Sequence, residues 1–135
     1  MEDEISLQAL QDISSSVLEQ SFASLWTRLY PDIPLMTHAP FIPGRRHHAD
    51  FAYGRNILFH RRKPKLLLPP AVLIEIHGGV HRIKFDEDEK KAIAARELGF
   101  VFHRLSEGML NEIFLSDIAK SIEAIKIAST STQPN

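Results

Sequence analysis

Apolar residues recur at spacings of three and four early in the chain, where Leu10, Ile13, Val17, Leu18, Phe22, Leu25, Trp26 and Leu29 form one stripe. That period predicts an amphipathic helix over residues 6–29. Tyr30-Pro31 ends it, because a residue before proline is pushed out of the helical region. Pro34, Pro40 and Pro43-Gly44 then mark an irregular or edge-strand stretch. Residues 47–53 read as a strand, with His48, Asp50 and Ala52 on one face and Ala49, Phe51 and Tyr53 on the other. Residues 56–59 are expected to extend the sheet, and the charged stretch 61–70 to form an exposed loop.

Ala71 to His77 is a nearly continuous apolar, β-branched run, which predicts a central strand buried on both faces. Gly78-Gly79 stops it. Residues 86–98 read as a helix with acids in the first turn and Gly99 just past its end. A short strand over 100–105 follows. A last helix starts at Ser106 and carries Met109, Leu110, Ile113, Phe114, Ile118, Ile122 and Ile125. The predicted order is α-β-β-β-α-β-α, an α/β sandwich with a mixed sheet of three to five strands flanked by helices. Residues 1–128 are expected to form one domain and the small, polar stretch 129–135 a disordered tail.

Composition narrows the function classes. With 135 residues, 44% of them hydrophobic and 24% charged, the chain suits one globular domain with a small core. The absence of cysteine excludes a disulfide scaffold, a thiolate zinc site and a cysteine nucleophile. No apolar run is long enough to span a membrane, and the acidic start MEDEISLQAL is unlike a secretory signal, so a cytoplasmic protein is expected.

The net charge of −1 conceals a strong asymmetry. Residues 38–84 hold nine Lys or Arg against two acids, together with six of the seven His. Such a block is the footprint expected of a surface that binds a polyanion. The two acids within it, Asp50 and Glu75, are then conspicuous.

Glu75 interrupts the most hydrophobic strand of the chain. A carboxylate there costs on the order of several kcal/mol unless it is paired, solvated or bound to a cation. It either reaches water at the strand end, pairs with a neighbouring base, or holds a metal. Period-two geometry puts His77 on its face, and Gly78-Gly79 leave room for a phosphate to approach the backbone. Asp50 repeats the pattern on another strand, beside Arg45 and Arg46. Two carboxylates from adjacent strands form the hard oxygen set that Mg²⁺ favours, because it takes one or two carboxylates and leaves its remaining positions to water and substrate phosphate. Metal-binding acids within a polyanion-binding surface describe a metal-dependent phosphodiesterase.

The next helix supplies a cation. Lys91 is predicted to continue a buried stripe with Ala94, Ala95 and Leu98, with Asp88 one turn earlier; Lys91 and Asp88 pair with each other or act at the site, or Lys91 snorkels to solvent. His77 and His81 are four apart but straddle a Gly-Gly turn, so they are expected to face phosphate or move protons rather than form a helical zinc box.

The strings ADFAY, VLIEIHGGVH and FDEDEKKAIAARELGFVFHRL resemble the small endonucleases of the PD-(D/E)XK superfamily, in particular the very-short-patch-repair-like group. Asp50, Glu75, His77, Gly78, Gly79, His81, Asp88, Lys91, Gly99, Phe100 and Arg104 occupy the places of the family pattern, which covers about residues 15–110. The resemblance implies a restriction-endonuclease-like sandwich and Mg²⁺- or Mn²⁺-dependent cleavage of DNA. It implies that Asp50 and Glu75 hold the metal, with the carbonyl of Ile76 as a third ligand. Where the family motif has a lysine two residues after the glutamate, this chain has His77, so Lys91 would supply the cation from the neighbouring helix. His77 or His81 would act as general acid or base, and Glu19 would join the metal shell. Arg45, Arg46, Arg61, Arg62, Lys63 and Lys65 would hold the DNA backbone. Because one site cuts one strand, duplex cleavage would favour a homodimer. The rival expectation is a catalytically inactive nucleic-acid-binding module on the same scaffold, and a third is a structural protein in which Glu75 is only ion-paired.

Overall fold

The computed structural model describes residues 7–43, 48–77 and 85–132, with side chains described at 17–43, 48–77, 89–106 and 108–128. Arg45, Arg46, His47, Gly78, Gly79 and His81 lie outside the described residues, as do the side chains of Leu10, Ile13 and Asp88.

Helix α1 (Leu7–Leu29) leads to β1 (Met36–Pro40), β2 (His48–Gly54), β3 (Ile57–His60), β4 (Lys63–Leu67), β5 (Ala71–His77), α2 (Phe85–Glu97), β6 (Val101–Ser106) and α3 (Glu112–Thr132). Four strands form a mixed sheet in the order β1-β2-β5-β6, with β5 and β6 parallel and the other neighbours antiparallel. Among the described residues the protein is therefore a mixed α/β structure whose sheet is flanked by three helices.

Strand β5 is central, and residues 71–76 are all buried. Val72, Ile74 and Ile76 share a core with Phe22 and Trp26 of α1 and Leu115, Ile118 and Ile122 of α3. Ala71 and Leu73 belong to a second core, with Ala92 and Ala95 of α2, Phe100 and Phe102. Two-sided burial explains the unbroken hydrophobic run, since each fully buried Val, Leu, Ile or Phe contributes about 1.5–3 kcal/mol.

Local contacts fix the element ends. The Trp26 indole donates to the Ile33 carbonyl at 2.8 Å, which pins the turn after α1. Gly99, at φ +100°, lets α2 stop as expected, and the Phe100 amide reaches back to the Ala95 carbonyl at 3.0 Å.

Several expectations need correction. Residues 57–67 are neither an extension of the sheet nor a loop. They form a separate two-stranded hairpin, β3–β4, because the apolar Ile57 and Leu67 seat its base in the second core while its tip turns sharply at Arg61-Arg62. Gly54 makes room for that base: a Cβ there would come within 2.8 Å of both Ala71 and Leu67.

Strand β2 does not keep strict alternation. Ala49 and Ala52 share one core while Phe51 faces the other, so the face switches around Asp50. Strand β1 shows the matching irregularity, with His38 at φ +51° opposite the same point. The last helix starts at Glu112 rather than Ser106. A 3₁₀ turn at Glu107–Met109 intervenes, and Asn111 caps the helix by accepting from the amides of Ile113 (3.0 Å) and Phe114 (3.2 Å). Val17, Leu98 and Ile113, expected on buried stripes, are exposed. Helix α2 instead rests on the sheet through the small Ala92 and Ala95, and Leu98 rolls off at its end.

Candidate active site

The β2–β5 ladder runs from Gly54↔Ala71 to Phe51↔Ile74. One further step of that register sets Asp50 opposite Glu75. There the Asp50 side chain enters the ladder: its Oδ2 accepts the Ile76 amide at 2.8 Å. A carboxylate thus takes the place a backbone carbonyl would fill, which explains why the face of β2 switches at this residue. Ile76, expected to offer its carbonyl to a metal, here holds Asp50 through its N–H.

Glu75 is buried, with 9% of its surface exposed. Lys91 of α2 meets both of its oxygens, at 2.5 Å and 3.1 Å. The charged strand residue is therefore a held ion pair rather than a solvated strand end. Lys91 is thus held by Glu75 rather than extended into solvent, while its expected pairing with Asp88 involves a side chain outside the described residues. One position over, Arg104 of β6, which is opposite Glu75 in the parallel ladder, donates to Glu89 of α2 at 2.7 Å. Lys91 and Glu89 thus reach neighbouring strands from one helix. His77, half-buried, ends β5 opposite Ser106.

A third carboxylate approaches from α1. Glu19 is held above the usual carboxylate range, first by burial and then by the Asp50 charge, while His38 and His48 pull it back. Glu19, Asp50, His38 and His48 therefore share one electrostatic neighbourhood built from α1, β1 and β2. The His38 and His48 rings stand edge to face with centroids 5.2 Å apart. Sequence reasoning missed His38. It lies in a proline-rich stretch with no periodic signal, and only the pairing of β1 with β2 brings it here.

Among the described residues, no three His, Asp or Glu side chains close around one point as a preformed metal cage. The donors still suit a hard divalent cation. Glu75 already holds a cationic group, Asp50 is fixed by a backbone amide, and Glu19, whose proton affinity is raised by burial and then by the Asp50 charge, adds a third carboxylate.

Of the basic residues expected to hold DNA, Arg61, Arg62, Lys63 and Lys65 are exposed on the β3–β4 hairpin, a sheet separate from the one that carries Asp50 and Glu75.

A second constellation resembles a hydrolase triad only in composition. His103 Nε2 and Ser121 Oγ are 2.9 Å apart, with Asp117 nearby. The Ser121 hydroxyl also lies 3.2 Å from the Asp117 carbonyl and can donate there, so the serine is satisfied within its own helix turn whichever ring nitrogen of His103 carries the proton.

Comparison of the chain with family models, with curated proteins and with solved structures finds no match. Among the described residues, no helix is long and apolar enough to cross a membrane.

Proposed function

We propose that the protein is a metal-dependent endonuclease that hydrolyses DNA phosphodiester bonds, on a restriction-endonuclease-like sandwich within the cytoplasm. The observation that carries this reading is the junction of Asp50 and Glu75. One carboxylate is tied to the amide that follows the other, and a lysine from the next helix stands on the second. Asp50 and Glu75, with the Ile76 carbonyl, would hold Mg²⁺ or Mn²⁺. Such an ion supplies Lewis acidity toward phosphate and a lower pKa for water.

The chain's own groups do the rest. Asp50 stays oriented because the Ile76 amide fixes one oxygen. Lys91 balances Glu75 and stands where it would orient water or offset charge developing on phosphate. His77 or His81 would carry a proton to or from the reacting oxygens. Glu19 would complete the acidic cluster, and the basic residues would hold the phosphate backbone.

Plasmid cleavage with Mg²⁺ or Mn²⁺ tests this. Cleavage is expected, lost on adding EDTA and in Asp50→Ala. A fully active Asp50→Ala would refute it. The rival, a catalytically inactive nucleic-acid-binding module, draws support from the same Lys91–Glu75 pair, which neutralises the buried carboxylate without any metal. It predicts salt-sensitive DNA binding with no cleavage in either ion.

A further inference from the structure

We infer that the β3–β4 hairpin is a ribbon that enters the major groove of duplex DNA. The inference deepens the nuclease reading, and rests on it for where a bound strand would be cut.

The hairpin is built in two parts. Its base is fixed: Leu67 is buried, Ile57 packs against the second core, and the Leu68 amide donates to the Asn56 carbonyl at 2.8 Å. Residues 58–65 are all exposed, and the two strands belong to no other sheet. Their cross-strand pairs shift between Leu58 and Phe59, an irregularity of the kind that bends and twists a ribbon.

The tip is chemically unusual. Arg61 and Arg62 both have positive φ, 53° and 68°, as the two central residues of a tight type I′ turn require. That turn favours Asn-Gly, so two arginines there oppose the local preference of the backbone. They place two guanidinium groups at the far end of the ribbon, followed by Lys63 and Lys65. Leu58 and Phe59 are also left in solvent, at 48% and 61% exposure. An exposed aromatic beside four cations suits a surface that meets both phosphate and base.

Duplex DNA is the polyanion this shape fits. Its major groove admits a two-stranded ribbon, and arginine is the side chain that most often reads base edges there. The major groove of duplex RNA is too deep and narrow for side chains to read. A groove of about 440 Å³ runs between the hairpin and edge strand β1, lined by Met36, His38, Ile57, Pro64 and Leu67. Its His38 is also one of the charges that act on Glu19.

The test replaces both tip arginines with the residues the turn prefers, in the double variant Arg61→Asn with Arg62→Gly. Binding of labelled duplex DNA, single-stranded DNA and duplex RNA is followed by fluorescence anisotropy in EDTA, so that cleavage plays no part. The wild type is expected to favour duplex DNA. The variant is expected to melt no lower than the wild type, to bind duplex DNA about tenfold or more weakly, and to show a salt dependence reduced by about two counterions. Phe59→Ser should weaken binding further without changing that salt slope. Unchanged duplex affinity in the double variant would overturn the inference. So would a wild type that binds single strands or duplex RNA as tightly as duplex DNA, or binds none of the three. A catalytically silent protein that passes this test would keep its ribbon and lose only the nuclease reading.

Discussion

The two faces of the β5–β6 pair handle buried polarity in opposite ways, although the residues concerned are neighbours in register. On the α2 face, Glu75 and Arg104 are opposite each other and each meets a charged partner from the helix, Lys91 and Glu89. On the α3 face, one residue earlier, His103 is opposite Ile74 and meets the hydroxyl of Ser121. Burial holds His103 below the usual histidine range, against the weaker pull of Asp117. One face keeps its charges by pairing them, and the other favours a neutral group. For the Lys91–Glu75 pair, a chain that needed only a stable core would lose nothing by an apolar replacement, because hydrophobic replacements for buried ion pairs are often neutral or stabilising. That retained pair is thus the one that calls for a functional account.

The sharpest way to break this contrast is to remove one member of the charged pair. Lys91→Met should cost about 3–5 kcal/mol in denaturant unfolding, since it removes the cation that meets both oxygens of the buried Glu75. Adding Glu75→Leu should recover most of that loss while leaving no cleavage. If Lys91→Met unfolds like the wild type, Glu75 does not depend on its lysine and the contrast fails.

On the α3 face the effects are smaller. His103→Gln should cost about 1 kcal/mol through the bond to Ser121. Its larger interest is the pH profile. The unfolded chain takes up this proton near pH 6.5 and the folded one only below that, so stability present above pH 6.5 declines as the pH falls through the window beneath it. The Gln variant should lack that decline; an identical profile would mean that His103 titrates as freely in the fold as outside it.

Glu19 supplies the smallest effect, with the opposite sign. Its raised proton affinity means that the stability it contributes is full below pH 4.5 and is lost as the pH rises through its folded value. Glu19→Gln should therefore melt slightly higher than the wild type at pH 7, with the difference closing below pH 4.5. A lower melting temperature at pH 7 would show that ionised Glu19 is already well compensated.

Much of the fold was legible because periodicity reports burial directly. Residues 71–77 and the stripe through Phe22 and Trp26 could pack in few other ways. The hairpin was not legible, because its tip has charged residues at positions that reward Asn and Gly, and its only apolar anchors lie at the base. The site divides in the same manner. Glu75 stood out as a charge within an apolar strand. The switch of face at Asp50 could not be read from alternation, since it depends on a side chain replacing a backbone acceptor across the sheet. His38 needed the β1–β2 pairing to be known first.

If Asp50 and Glu75 share one divalent cation, Mn²⁺ titration calorimetry on the wild type, Asp50→Asn and Glu75→Gln will show it. Asn keeps an oxygen for the Ile76 amide and removes only the charge. One Mn²⁺ per wild-type chain is expected, with a loss of affinity of about tenfold or more in each variant, which for one removed ligand is about 1.4 kcal/mol or more. Mn²⁺ binding of equal strength in all three proteins, or none in the wild type, would contradict it.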